Sequence, residues 1–224
     1  MPVDSAYFSA VALTVTLLVL AGVVAVGDWL AVWQRLFRVE YLLKPATLAL
    51  LVAAAVTADL GVAKPWVVAA LVLGLLGDVG LMLSADDRPD RPFLLGLGAF
   101  LLGHLCYIVG FSRVGLRGVD VLAGVLIVAG IAGLALPRVL RGAARTAGRS
   151  LAVVVGGYAA VLAAMAVLGI GTGHVATAIG AALFLTSDAL IARTRFVGRL
   201  PHADLLVIVS YHVGQALILI GLLR

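Results

Sequence analysis

Cysteine, charge and the motifs of soluble enzymes are all scarce in this chain of 224 residues. The one cysteine, Cys106, falls inside an apolar stretch, which excludes an intrachain disulfide framework and a cysteine-based zinc cluster. Charged residues make up 12% of the chain and apolar ones 63%, against about 25% and 45–50% in soluble domains. With a mean hydropathy of +1.19, there is too little polar surface to cover a soluble fold. The sequence has no phosphate-cradling glycine-rich loop, no serine nucleophile elbow and no paired histidines of a zinc protease. A net charge of +5 raises the question of nucleic acid. The basic residues, however, sit in short loops between apolar stretches and form no stripe, so the sequence predicts no nucleic-acid partner.

What the chain does have is apolar runs of membrane-spanning length, about 20 residues each. Cutting at charge clusters and turn signals predicts an all-α polytopic membrane protein, a bundle of eight transmembrane helices forming one domain over residues 1–224. The spans are 6–27, 42–58, 64–83, 93–111, 119–136, 150–169, 174–192 and 203–222. Pro45, Pro65 and Pro92 are placed at or beside helix starts, where a missing backbone N–H costs nothing. The first run follows Asp4 and no Lys or Arg, unlike a secretory leader, and reads as a retained helix. Between the first two spans, 28–44 mixes Trp29, Trp33, Phe37 and Tyr41 with Arg35 and Arg38, the composition of a headgroup-level segment.

Lys and Arg alternate between the two sides of this arrangement. Arg35, Arg38, Lys44, Arg88, Arg91, Arg138, Arg141, Arg145, Arg149, Arg193, Arg195 and Arg199 fall on one side; Lys64, Arg113, Arg117 and Arg224 fall on the other. The bias puts the basic loops in the cytoplasm and both termini outside, and the Arg-over-Lys composition rich in Ala, Gly and Val points to a bacterial inner membrane.

Ionisable residues inside spans are the informative ones, because each costs about 2.5–3.5 kcal/mol at mid-bilayer unless it is partnered. Asp78 follows Gly77 in the third span and Asp188 follows Ser187 in the seventh. His104 lies in the fourth with Tyr107 nearly one turn on. Tyr158 follows Gly156 and Gly157 in the sixth, and Tyr211 and Gln215 share one face of the eighth. All of them fall in the predicted cytoplasmic half, near which Lys44 opens the second span. Other readings stand beside the functional one. Lys44 can be a topology determinant snorkelling to the headgroups, the tyrosines can be packing residues with satisfied hydroxyls, and Gly96, Gly98 and Gly103 can serve close helix contact.

At these residues the sequence resembles the YhhN/TMEM86 family of integral membrane lysoplasmalogenases. The resemblance rests on Lys44-Pro45, on Leu76-Gly77-Asp78, and on the run from Gly98 to Tyr107 that includes Phe100, Gly103 and His104. It continues through Gly180 to Asp188, with Phe184 and Ser187, and ends at Tyr211-His-Val-Gly-Gln215. It implies hydrolysis of the vinyl-ether bond of a lysoplasmalogen, a single-chain lysophospholipid, to a fatty aldehyde and a glycerophospho-alcohol; for this chemistry no metal or other cofactor is predicted. Such a bond is cleaved by protonating its β-carbon, which calls for a carboxylic acid and a second carboxylate. Asp78 and Asp188 are the candidate catalytic pair. Lys44, His104, Tyr107, Tyr158, Ser187, Tyr211 and Gln215 are candidate substrate-binding residues, Lys44 for the phosphate.

Two other classes fit the same residues. Asp and His chains in membranes also relay protons, as in a small proton-coupled transporter, although broken helices and an inverted repeat are not apparent. Asp78, Asp188 and His104 together would suit a metal-dependent lipid hydrolase, but one histidine is thin for zinc.

Overall fold

The computed structural model of the chain describes residues 5–84 and 91–224; Asp4 and Arg88 lie outside them. Among the described residues there are seven α-helices and no strand: α1 (Ser5–Trp33), α2 (Phe37–Thr57), α3 (Lys64–Leu83), α4 (Arg91–Val114), α5 (Gly118–Gly171), α6 (Val175–Phe196) and α7 (Ala203–Gly221). All seven are long and apolar enough to cross a bilayer. Their outer faces are apolar, with Leu42, Leu95, Val119, Leu134 and Val175 each more than 70% exposed. Such faces suit lipid and no aqueous surface, and the chain is a polytopic all-α membrane protein.

The fifth and sixth predicted spans are one hydrogen-bonded element here. A straight helix of 54 residues would run about 80 Å, far beyond a hydrocarbon core about 30 Å thick. It is not straight. Ala147 and Gly148 leave helical geometry, Gly148 at a φ of +81° that glycine adopts without strain. The arms 118–146 and 149–171 then run back along each other: the Arg117 amide donates to the Gly171 carbonyl at 2.8 Å, and Gly124 lies against Val167. The element is therefore one of seven helices among the described residues, where eight were predicted, and its two arms take the place of the fifth and sixth predicted spans.

Three boundaries differ from the sequence reading. The first helix runs on through Asp28 and Trp29 to Trp33, so the predicted headgroup segment shrinks to a turn at 34–36. The second helix starts at Phe37, which leaves Pro45 well inside it, unlike Pro65 and Pro92, which do sit in first turns. The first arm of α5 also passes through Pro137 and ends two turns later. At the end of α1 and in the first arm of α5, burial of Ala31 and of Val139 and Ala143 carries the helix past the local stop signal.

The helices form two compact units, one of residues 1–113 with 222–224 and the other of residues 114–221. In the first, α2 packs on α1 and α3, and α3 meets α4 at glycines: a Cβ on Gly80 would stand 2.8 Å from the Gly96 Cα. Gly103 also faces α3, whereas Gly98 faces open space. In the second, α6 packs on α5 and α7, and a Cβ on Gly180 would stand 2.7 Å from the Gly214 carbonyl oxygen. Without a hydrophobic force between helices in lipid, such close backbone contact supplies the attraction. Each unit carries four spans, and each has an aspartate on its third.

Candidate functional site

In the first unit, α2 presents Glu40 and Lys44 four residues apart on one face. The Lys44 Nζ lies 3.0 Å from Asp78 Oδ1 of α3, and the aspartate is buried. A buried carboxylate keeps its charge when it has such a partner, so the lysine is neither a bare topology signal nor snorkelling away. One turn beyond Asp78, the Met82 carbonyl accepts a hydrogen bond from Tyr41, which fixes the start of α2 against the end of α3. A groove of about 400 Å³ opens there, lined by Phe37, Arg38, Tyr41 and Leu42. His104 and Tyr107 are buried on α4, and the Tyr107 ring stacks on Phe111 at 5.6 Å between centroids.

Asp28 is the residue that the sequence reading missed in this unit. It is 0% exposed, its carboxylate oxygens have no hydrogen-bond partner among the described residues, and it lies within electrostatic reach of Glu40, Lys44 and Asp78. Its position directly after a long apolar run made it look like the first residue of a loop. The only available signal was helical continuity through Trp29.

In the second unit, the Tyr158 hydroxyl, on the second arm of α5, donates to Asp188 Oδ2 of α6 at 2.7 Å. Ser187 turns the other way and donates to the Val207 carbonyl at 3.1 Å, tying α6 to α7. Tyr211 meets Phe184 edge to face at 5.3 Å. Tyr211, His212 and Gln215 are all buried on α7. His212 was passed over inside the Tyr211-to-Gln215 motif; being ionisable and mid-span, it carried the same signal as His104. Within the units, then, the structure brings together Lys44 with Asp78, and Tyr158 with Asp188. Among the described residues no group of three or more His, Cys, Asp or Glu is arranged to hold a metal ion.

The two carboxylates thus have unlike surroundings. An ion pair at 3.0 Å requires Asp78 in its charged form. Asp188 accepts a hydrogen bond from a neutral phenol on one of its oxygens.

The chain is 32% identical over 156 residues to the human lysoplasmalogenase TMEM86B, covering 69% of this chain and 62% of that protein. It is 45% identical over 65 residues to a lysoplasmalogenase of Mycobacterium bovis, covering 29% of this chain and 24% of the relative. The pig TMEM86B matches at 32% over 149 residues, 66% of this chain and 59% of its own length. The chain thus matches about six tenths of the length of the animal relatives and about a quarter of the mycobacterial one. No solved structure matches it. The profile of the YhhN family matches residues 39–222, a stretch that holds Lys44, Asp78, His104, Tyr158, Asp188 and Gln215, and on that match the chain belongs to the YhhN family.

Proposed function

We propose that the protein hydrolyses the vinyl-ether bond of a lysoplasmalogen within the membrane. The observation that carries the reading is the pair of intramembrane aspartates with unlike partners, in a chain whose named relatives are lysoplasmalogenases. Asp188 is the proton donor: its proton goes to the β-carbon, and the alkene electrons leave an oxocarbenium ion. Water adds to that cation and returns a proton to Asp188. The hemiacetal then collapses to a fatty aldehyde and a glycerophospho-alcohol, so that no oxidant or nucleophilic side chain is consumed. Asp78, paired with Lys44, is the candidate for the second carboxylate role that this chemistry calls for. Lys44 retains two further N–H donors for a phosphate oxygen, and His104, Tyr107, Tyr211 and Gln215 orient water and ether oxygen.

Relative to a proton-coupled transporter, this division of roles leaves both aspartates with fixed partners and names a product. The proposed setting is a bacterial inner membrane with both termini outside, from the twelve-to-four charge bias. Purified protein given a lysoplasmalogen and a matched ester lysolipid should release aldehyde from the first and no fatty acid from the second. Fatty acid from the ester, or no aldehyde at all, would remove the assignment.

A further inference from the structure

The arginine face at the end of the first arm of α5 is not used by the proposed reaction. Ile127, Ile131, Leu134, Arg138, Arg141 and Arg145 recur at alternating steps of four and three. At 100° per residue all six lie within about 40° of one line along the helix. The upper half of that line is exposed and apolar: Ile127 is 52% exposed, Ile131 48% and Leu134 73%. The lower half is three guanidiniums. The line therefore changes from hydrocarbon-facing to cationic within one turn, as a membrane surface does.

The cationic half is concave. Arg138, Arg141, Arg145 and Gly142 form one wall of a groove of about 270 Å³, and Phe196 and Val197 at the end of α6 form the other. Gly142 makes the groove possible, since its position lies so close to the Phe196 carbonyl that a Cβ there would overlap the oxygen. Two of the guanidiniums are anchored. Arg138 Nη1 donates to the Leu134 carbonyl at 2.6 Å and Arg141 Nε to the Pro137 carbonyl at 3.1 Å. Both are drawn back along the helix toward the apolar half, and each keeps further N–H donors. The carbonyl end of α6 carries about half a negative charge, which three full positive charges outweigh, and no carboxylate is among the lining residues.

We propose that this groove binds the phosphate of an anionic membrane glycerophospholipid, with the lipid's chains lying along Ile127, Ile131 and Leu134. Guanidinium forks match phosphate oxygens in pairs, and basic recesses at the ends of membrane helices are suited to such headgroups. The apolar half of the line decides between a lipid and a free phosphate, because a soluble anion gains nothing from it. The lipid is distinct from the substrate of the proposed reaction. Phe196 stands eight residues beyond Asp188 on α6, about 12 Å along the axis, whereas the ether oxygen and phosphorus of one lysolipid are five bonds, or about 6–7 Å, apart.

The test uses the purified full chain in a neutral detergent, with melting temperature as the readout. Dioleoyl phosphatidylglycerol should raise it, and neither dioleoyl phosphatidylcholine nor inorganic phosphate should reproduce more than half of that shift. The triple variant R138K/R141K/R145K keeps every charge but loses the forks, and it should lose at least half of the phosphatidylglycerol shift. Full retention in that variant means attraction to a cationic surface only, and overturns the site. An equal shift from inorganic phosphate overturns the lipid assignment. Should the triple variant not fold, Arg141→Lys alone takes its place. Native mass spectrometry of the wild type then provides the second arm: retention of one phosphatidylglycerol in preference to phosphatidylcholine supports the site, and equal retention overturns it.

Discussion

The Lys44 ammonium and the Asp78 carboxylate form an ion pair at 3.0 Å, with the aspartate buried and the lysine side chain 17% exposed. Removing one partner leaves the other charge uncompensated, which costs about 3–5 kcal/mol for buried pairs, whereas removing both is often near neutral. Asp78→Asn should therefore lower the melting temperature clearly, and so should Lys44→Gln. The double variant should regain most of that loss and still release no aldehyde. Equal stability in all four proteins would mean that the pair does not form in the membrane.

The segment 118–171 should cross the bilayer twice. Single cysteines at Thr146 and Ser150, in a Cys106→Ala background, flank the break at Ala147 and Gly148; cysteines at Gly118 and Thr172 flank the joined ends. An impermeant maleimide should label the first two from one side of the membrane and the last two from the other. The side that labels Thr146 and Ser150 should be the cytoplasm, and a reporter after Arg224 should be active only outside. Labelling of all four positions from one side would remove two of the eight spans.

Membrane class and the positions of the apolar runs were legible because apolar length is a local property: a run of about 20 apolar residues reads the same whatever surrounds it. Ends were less so. Pro45 and Asp28 carry stop signals that packing against α1, α2 and α3 overrides, and no single-helix pattern reveals that burial. Asp78 and Asp188 were legible as costly residues inside spans, but their partners were not. Lys44 looked like a charge snorkelling to the surface, and Tyr158 like a packing residue, because the pairings span 34 and 30 residues and depend on helix rotation. Ser187 shows the converse. Its place beside Asp188 suggested substrate, and its hydroxyl proton goes to the Val207 carbonyl, a partner that the sequence does not reveal.

Helix contact in the second unit depends on the absence of a side chain at Gly180, where a Cβ would stand 2.7 Å from the Gly214 oxygen and equally close to the Ile218 amide nitrogen. Both obstacles are backbone, so neither is able to swing aside. Gly180→Ala should cost about 1–3 kcal/mol, the usual range for overpacking, and Gly180→Leu more. Gly98→Ala, with nothing within 4 Å, should leave the melting temperature unchanged and serves as the control. Equal behaviour of the two alanine variants would show that α6 and α7 do not meet at these glycines.

Asp188 and Tyr158 provide the test that separates acid catalysis from the other readings of the same residues. The phenol donates to one carboxylate oxygen at 2.7 Å, so Tyr158→Phe removes an orienting bond and leaves the proton-carrying group in place. Asp188→Asn keeps the shape and removes the titratable proton. Loss of general acid catalysis costs about a hundredfold or more in turnover, and loss of a single neutral hydrogen bond about 0.5–1.5 kcal/mol, up to roughly tenfold. Aldehyde release should accordingly fall at least about a hundredfold in Asp188→Asn and about tenfold or less in Tyr158→Phe, with both proteins extracting and melting near the wild type. A strong chelator should leave wild-type turnover unchanged, because the proposed step moves a proton and calls for no Lewis acid. Chelator-sensitive release would transfer the reaction to a metal hydrolase. Unfolding of Asp188→Asn would return the residue to a structural role, and full activity in it would take Asp188 out of the mechanism.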